Sequence, residues 1–427
     1  MVSFKNGILN IKVGKPNLDT VVDISFFMLM CSMYIKDSTA KGNNYFYYLA
    51  FFLFAGVTFV KLMTRMKTEE TIILPMFSIW YGSFLVLSLI SMLWATYPAN
   101  SMLVMSRIVQ SLVVTFCMAQ HYATRSGLMR CVKVLACAGA FVTFFCFIKT
   151  PYSDWFSGEF GAAVTKLNAN TVGMIFTASI LVSFYLAFYC NIKQYWVVTA
   201  VQLFAIILTS SRKSAIAAVF GIVMLIIMRS RRRTLMWRIL LAAGIAVVLY
   251  FIIMTVPELY SSIGVRFDSM FDHFSNNSTD YSITLRQSFI NNAQDMFFEK
   301  PLLGYGINNF IVQMNFRGGV ANYAHNNYYE ILADLGITGF VLFYSYYAYL
   351  LYILIKTCRS TNASLAKLML TVLVIIMICE YGLVTYYSIY IQVFICCCYL
   401  FVCANSHQDD YSDGAEQYLK YARSIYD

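Results

Sequence analysis

Residues 324–355 read "AHNNYYEILADLGITGFVLFYSYYAYLLYILI", with one histidine and two asparagines at the head of an otherwise apolar run. From Tyr328 to Ile355 the run exceeds the roughly 20 residues that carry a helix across a hydrocarbon layer. Similar stretches recur along nearly the whole chain, which is 59% hydrophobic and 12% charged, with a mean hydropathy of +0.64. A water-soluble domain of 427 residues has no core large enough to hide that surface. The expected class is an all-α integral membrane protein with about 12 transmembrane helices. Their expected spans are 20–35, 44–63, 71–95, 101–120, 129–148, 168–189, 194–210, 213–229, 236–256, 328–355, 364–380 and 384–404.

Membrane helices keep Lys and Arg at their cytoplasmic ends. With both termini inside, about 20 basic residues fall on the cytoplasmic side and about 10 outside. The densest inner cluster is "RSRRRTLMWR" at 229–238, which reads first as a topology signal and second as an anionic-lipid contact. The net charge of +10 therefore reports orientation and gives no reason to expect nucleic acid. The twelve cysteines lie almost entirely in spans or inner loops, so no disulfide framework is expected. The polar start "MVSFKNGILNIKVGKPNLDT" has no cleavable apolar core, so the first span serves as an uncleaved insertion signal.

Four regions follow: an N-terminal bundle of about nine helices over 1–256, a large extracytoplasmic loop over 257–327, C-terminal spans over 328–404, and a cytoplasmic tail over 405–427. A loop of roughly 70 residues is too long for a plain connection and is expected to be partly folded. Within it, Leu285, Phe289, Ala293 and Phe297 recur about one turn apart, predicting an amphipathic helix over 282–298 that ends before Pro301. "PLLGYG" then supplies Gly304 and Gly306 for a turn, without the preceding strand a dinucleotide site needs.

Asn327 and Glu330 have the N-x-x-E spacing of a helix N-terminus, just after His325. Gly336 and Gly339 follow on nearly one face, a stripe that lets a neighbouring helix approach closely. A lone histidine there can simply cap a helix at the interface; other polar residues at the same membrane face favour a site. Arg212 lies in the very short outer turn "LTSSRKSAIA", Arg286 on the loop helix, and Arg107 about two turns into its span. An arginine on a tight turn suits phosphate, although snorkelling explains one as well. Asn168 and Asn170 suit sugar hydroxyls and helix capping equally.

Together these residues resemble the bacterial O-antigen ligase and O-antigen polymerase superfamily, and the resemblance covers most of the chain. Its signature of His-Asn, nine residues, Gly, two residues, Gly is matched by His325, Asn326, Gly336 and Gly339, preceded by "PLLGYGINNF". "LTSSRKS", "TLRQSF" and "LNANTVG" look like the family's Ser-Arg element, loop arginine and Asn-rich helix start. Lys213 departs from the glycine or other small residue expected after that arginine.

The resemblance implies a membrane-embedded, inverting, metal-independent glycosyltransferase of the C type, without cofactor. Its donor would be an undecaprenyl-diphosphate-linked glycan, in surface polysaccharide assembly at the bacterial cytoplasmic membrane. His325, Arg212 and Arg286 take the catalytic positions, with Asn326, Arg107, Asn168 and Asn170 as candidate substrate contacts. The acceptor would be another lipid-linked repeat unit, for a polymerase, or lipid A core, for a ligase; the short final outer loop tilts the reading to polymerase. A lipid-glycan flippase is the alternative from another class, but transporters usually place ionisable groups near the bilayer midplane and show repeats. Asp268 and Asp272, one helical turn apart, are the rival cation-binding pair. Topology is directly testable: in intact cells a cysteine placed near Ser275 should react with an impermeant thiol reagent, and one near Ser230 should not. The opposite labelling pattern would move His325 to the cytoplasmic face.

Overall fold

The computed structural model describes residues 2–5, 8–11, 17–35, 44–66, 74–229, 281–360 and 363–405, with isolated positions between 236 and 268. Apart from an antiparallel hairpin pairing Val2–Lys5 with Ile8–Ile11, the described regular structure is helical. In chain order the helices are α1 (Leu18–Ile35), α2 (Tyr45–Met66), α3 (Met76–Ser91), α4 (Pro98–Tyr122), α5 (Arg125–Lys149), the single turn α6 (Ala162–Thr165) and α7 (Ala169–Phe188). Next come α8 (Gln194–Leu208), α9 (Arg212–Arg229), α10 (Tyr281–Glu299), α11 (Phe310–Phe316), α12 (Asn327–Ser360) and α13 (Ser364–Glu380), then α14 (Ile389–Asn405).

Six of these, α1, α2, α4, α5, α7 and α12, are long and apolar enough to cross a membrane, and α3, α8 and α14 are shorter apolar helices. The protein is a multi-pass membrane protein. Its outer surface agrees: on α2, Leu49 is 63% exposed and Phe52 67%, side chains that only a lipid solvent tolerates in number. The expected span 236–256, the loop segment 257–280 and the tail from 406 lie largely or wholly outside the described residues.

Helix α7 is the central post, buried along most of its length and packed on α5, α8, α9 and α13. Its approach to α9 depends on Gly173, where a Cβ would come within 2.5 Å of Ser214 Oγ. Near the α1 start, charges are matched by partners: Lys61 Nζ meets Asp19 at 2.6 Å and His121 Nδ1 at 2.7 Å, and His121 Nε2 meets Asp23 at 3.0 Å. These contacts tie α1, α2 and α4 together where apolar packing alone carries no directional preference.

The expected amphipathic helix is α10, which buries Phe289, Ala293 and Met296. With Phe310, Met314, Ala324 and Ala333 they form a second, smaller core, on which Leu285 also packs. The described part of the loop, residues 281–326, is thus folded rather than a plain connection.

The expected glycine stripe takes a different form. Gly336 interrupts α12 with φ 63° and ψ −163°, and residues 301–306 fill the break. Tyr305 and Gly306 donate to the carbonyls of Ala333 and Asp334 at 3.0 and 2.8 Å, and Ile337 donates to the Pro301 carbonyl at 2.8 Å. The two backbones approach so closely that a Cβ on Gly336 would lie 2.4 Å from the Leu302 carbonyl, and one on Gly304 2.4 Å from that of Asp334. The spacing encodes a loop docked into a broken helix, not helix-on-helix packing. Asp334, on the turn of α12 just before the break, accepts the N–H groups of Asn308, Asn309 and Phe310 at 2.6, 3.1 and 2.7 Å, and so caps α11.

The same loop is anchored to the α3–α4 turn. Ile307 donates to Ser91 Oγ at 3.0 Å, Ser101 Oγ donates back to the Ile307 carbonyl at 2.8 Å, and Tyr97 N–H reaches Asn309 Oδ1 at 2.8 Å.

Gly336→Ala and Gly304→Ala should each cost roughly 3 kcal/mol, the sum of left-handed strain and backbone overlap. Gly318, also at positive φ but with open space where its Cβ would point, should cost only about 1 kcal/mol as alanine. Thermal unfolding of the purified variants checks the order; equal destabilisation at all three positions would refute the docking constraint.

Candidate functional site

His325 precedes α12 and is not part of it. The helix begins at Asn327, and His325 itself adopts φ 54°. The cap is Asn326, not Asn327: its Oδ1 accepts Tyr328 N–H at 3.0 Å and Tyr329 N–H at 3.2 Å. Glu330, completing the box one residue out of the expected register, accepts Ala324 N–H at 2.6 Å. The chain therefore bends at His325, and the imidazole lies against Tyr323 and Phe289 of α10.

The ring is held on three sides. Tyr323 lies 3.9 Å away between centroids, Phe289 of α10 stacks at 5.8 Å, and Asn322 Nδ2 sits 3.3 Å from Nε2. Asn322 Oδ1 accepts the N–H of Tyr323 at 2.9 Å; with the amide N–H groups so assigned to face the ring, the matching tautomer carries its proton on Nδ1 and its lone pair on Nε2.

Burial, the Arg286 charge and the Lys213 charge together push the imidazole down to about 4 from its ordinary 6.5. Each disfavours imidazolium, the first by removing water and the others by like-charge repulsion. His325 is therefore neutral throughout the physiological range.

Arg286 is half-buried on α10 and acts electrostatically on Tyr323 as well as His325. Arg212 is the first residue of α9, also half-buried. Lys213, standing where the resemblance implies a glycine or other small residue, donates its Nζ to the Gly382 carbonyl at 2.7 Å and lies within electrostatic reach of both Arg286 and His325. Beside it, Asn326 Nδ2 donates to the preceding carbonyl, Tyr381, at 3.3 Å. Lysine and asparagine thus hold consecutive carbonyls of the turn between α13 and α14.

That turn is fixed from below by groups the sequence reading passed over. Asn327 Oδ1 accepts Thr385 and Tyr386 N–H at 2.8 and 3.1 Å, and its Nδ2 donates to Tyr344 at 2.8 Å. Glu380, fully buried, accepts the hydroxyls of Tyr344 and Tyr347 at 2.9 and 3.0 Å and that of Thr385. A carboxylate at the end of an apolar helix is itself a signal, because burying it without partners is costly.

Arg107 faces the same turn, its guanidinium 5.2 Å from the Tyr387 ring. The two sugar-contact candidates carry structural bonds. Asn168 Oδ1 caps α7 through Thr171 N–H at 2.8 Å, and Asn170 Oδ1 accepts Ser211 Oγ–H at 3.0 Å, joining α7 to the turn that carries Arg212. Asn168 Oδ1 also accepts the Thr171 hydroxyl at 3.0 Å, so any sugar contact there would fall to its amide nitrogen, whereas Asn170 Oδ1 keeps a second lone pair. Gly306 packs on the end of α3, where a Cβ would meet Ala95 at 2.6 Å, and Gly339 leaves room for the Leu335 side chain displaced by the break.

No group of metal-ligating side chains large enough to hold an ion occurs among the described residues. Of the rival pair, Asp268 accepts the Tyr260 hydroxyl at 2.8 Å, and Asp272 lies outside those residues.

What these elements offer is a neutral imidazole whose Nε2 lone pair is held by the Asn322 amide, beside two cations on different helices, at one end of a membrane bundle. No curated protein matches the chain. Residues 196–344, from α8 into α12, match the model of the Wzy_C family, described as O-antigen ligase. That segment contains Lys213, Arg286, the docked glycine loop and His325, and by it the chain is shown to carry an O-antigen ligase family domain within a multi-pass membrane protein.

Proposed function

We propose that the protein is an inverting, metal-independent glycosyltransferase that moves a glycan from an undecaprenyl-diphosphate carrier to an acceptor hydroxyl at the extracytoplasmic face of the bacterial cytoplasmic membrane. The supporting observation is the convergence of Arg286 and Lys213 on His325. The acceptor oxygen attacks the anomeric carbon as the bond from that carbon to the diphosphate oxygen breaks, and the electron pair leaves with the diphosphate. Arg286, Arg212 and Lys213 meet the growing negative charge. The acceptor's proton passes to Nε2 of His325, displacing the Asn322 contact. Direct displacement inverts the anomeric centre.

An imidazole held near 4 is a weak base in the empty site. The bound diphosphate corrects this, because its negative charge offsets the two cations and raises the proton affinity of Nε2 once the donor is in place. Base strength is thereby linked to donor binding, which restrains proton abstraction when no donor is present.

Of the two acceptors, a second lipid-linked repeat unit is favoured. The turn at 381–388 is short and tied down by Lys213, Asn326 and Asn327, and adds no domain to grip a lipid A core. On this reading a deletion strain accumulates single repeat units. Long chains retained on the carrier would instead indicate ligation to lipid A core.

His325→Ala, Arg286→Ala and Arg212→Ala should each lower transfer by roughly hundredfold or more with normal expression. A fully active His325→Ala enzyme would reduce that residue to a cap. For the purified enzyme, the acid limb of kcat/KM, which reports the free enzyme, should lie near the 4 of the buried imidazole. The acid limb of kcat, which reports the donor complex, should lie higher. Lys213→Met should raise the kcat/KM limb toward neutrality; an unchanged profile would remove Lys213 from the site.

A further inference from the structure

At the opposite end of the bundle, α5, α7 and α13 surround a cavity of about 570 Å³ lined by Arg125, Ser126, Met129, Tyr185, Ser364 and Leu365. It lies at the other ends of the helices that carry the site. The site described above uses the start of α9 and the turn after α13, near the start of α7, whereas the cavity takes the last turn of α7 and the first of α13.

Two helices begin at this cavity: Arg125 and Ser126 open α5, and Ser364 and Leu365 open α13. First-turn N–H groups have no acceptor within their own helix and carry the positive end of the helix dipole. Thr124 satisfies Gly127 N–H at the α5 start, but α13 follows Ala363, which supplies no side-chain cap. The Tyr185 hydroxyl and Ser364 Oγ meet at 3.0 Å on the wall, and the Arg125 charge acts on that same hydroxyl.

The surroundings are positive as well. Lys133 and Arg229 act on Cys190, just beyond α7, and Lys367 Nζ lies 6.0 Å from the Tyr189 ring. The remaining lining, Met129 and Leu365, is apolar. Arg125 is also the first residue of a membrane-crossing helix, so its guanidinium sits at headgroup depth.

We propose that this cavity binds the phosphodiester headgroup of an anionic membrane lipid. The Arg125 guanidinium, the Ser126 and Ser364 hydroxyls and the first N–H groups of α13 contact phosphate oxygens, and the acyl chains leave past Met129 and Leu365. The volume lies within the range of roughly 300–1,000 Å³ typical of small-ligand sites. A soluble anion would use the cation and hydroxyls but gain nothing from the apolar side or from the membrane depth. The inference does not depend on the transferase reading.

The test uses the full-length protein in detergent, with native mass spectrometry and thermal unfolding read after adding phosphatidylglycerol, phosphatidylcholine or inorganic phosphate. Phosphatidylglycerol should be retained at one copy, preferred over phosphatidylcholine by about fivefold, and should raise Tm. Arg125→Gln should abolish the preference. Ser364→Leu, which fills the cavity from its α13 wall, should do the same should the first variant fail to fold, whereas Lys149→Gln at the far end of α5 should retain it. Equal retention of the two lipids, a preference unchanged in both cavity variants, or a Tm rise reproduced by inorganic phosphate alone would each overturn the assignment.

Discussion

The contact on which the rest depends is the reciprocal fit of Gly304 and Gly336. Each presents bare backbone to the other's segment, at separations where a single methyl would overlap a carbonyl. A helix opened at Gly336 has unsatisfied groups inside a membrane protein, where water cannot repair them. Residues 301–306 satisfy those groups, and in doing so bring Asp334 against the three N–H groups at the start of α11. The break is therefore a socket. Without it, the loop would have no fixed height over the bundle, and neither α10 nor the turn at His325 would have a defined position.

On that base the site gathers charges from separate helices. Arg286 comes from the loop and Lys213 from the bundle, while His325 lies on the hinge between them. Two cations near an imidazole are unfavourable for protonating it and favourable for an anionic visitor. Under the proposed function the arrangement would be completed by the donor, whose negative charge would offset the two cations.

Much of this was legible in the sequence, and the parts that were not have physical reasons. Helix existence followed from apolar length, and α10 from the spacing of Leu285, Phe289 and Ala293. His325, Arg286 and the four glycines were singled out by pattern, but pattern does not carry conformation: Gly336 reads identically as a packing glycine and as a break. The cap at Asn326 was placed one residue late because the sequence offers two adjacent asparagines, and only the bend at His325 decides between them. Lys213 looked like a departure near Arg212, since nothing local reveals that its side chain spans to Gly382, 169 positions away. Asp334 and Glu380 were within reach of sequence reasoning, as carboxylates in apolar helices.

The anchoring of the histidine turn has a consequence for how the molecule is divided. The segment shared with the family ends at residue 344, yet the bonds that fix its chemistry run outside it, to Ser91, Tyr97 and Ser101 on one side and to Tyr381, Gly382 and Thr385 on the other. The inherited unit and the cooperative unit therefore do not coincide. A chimera exchanging residues 196–344 would carry His325, Arg286 and Lys213 but leave their supports behind, so the portable part of this protein is larger than the part that sequence similarity delimits.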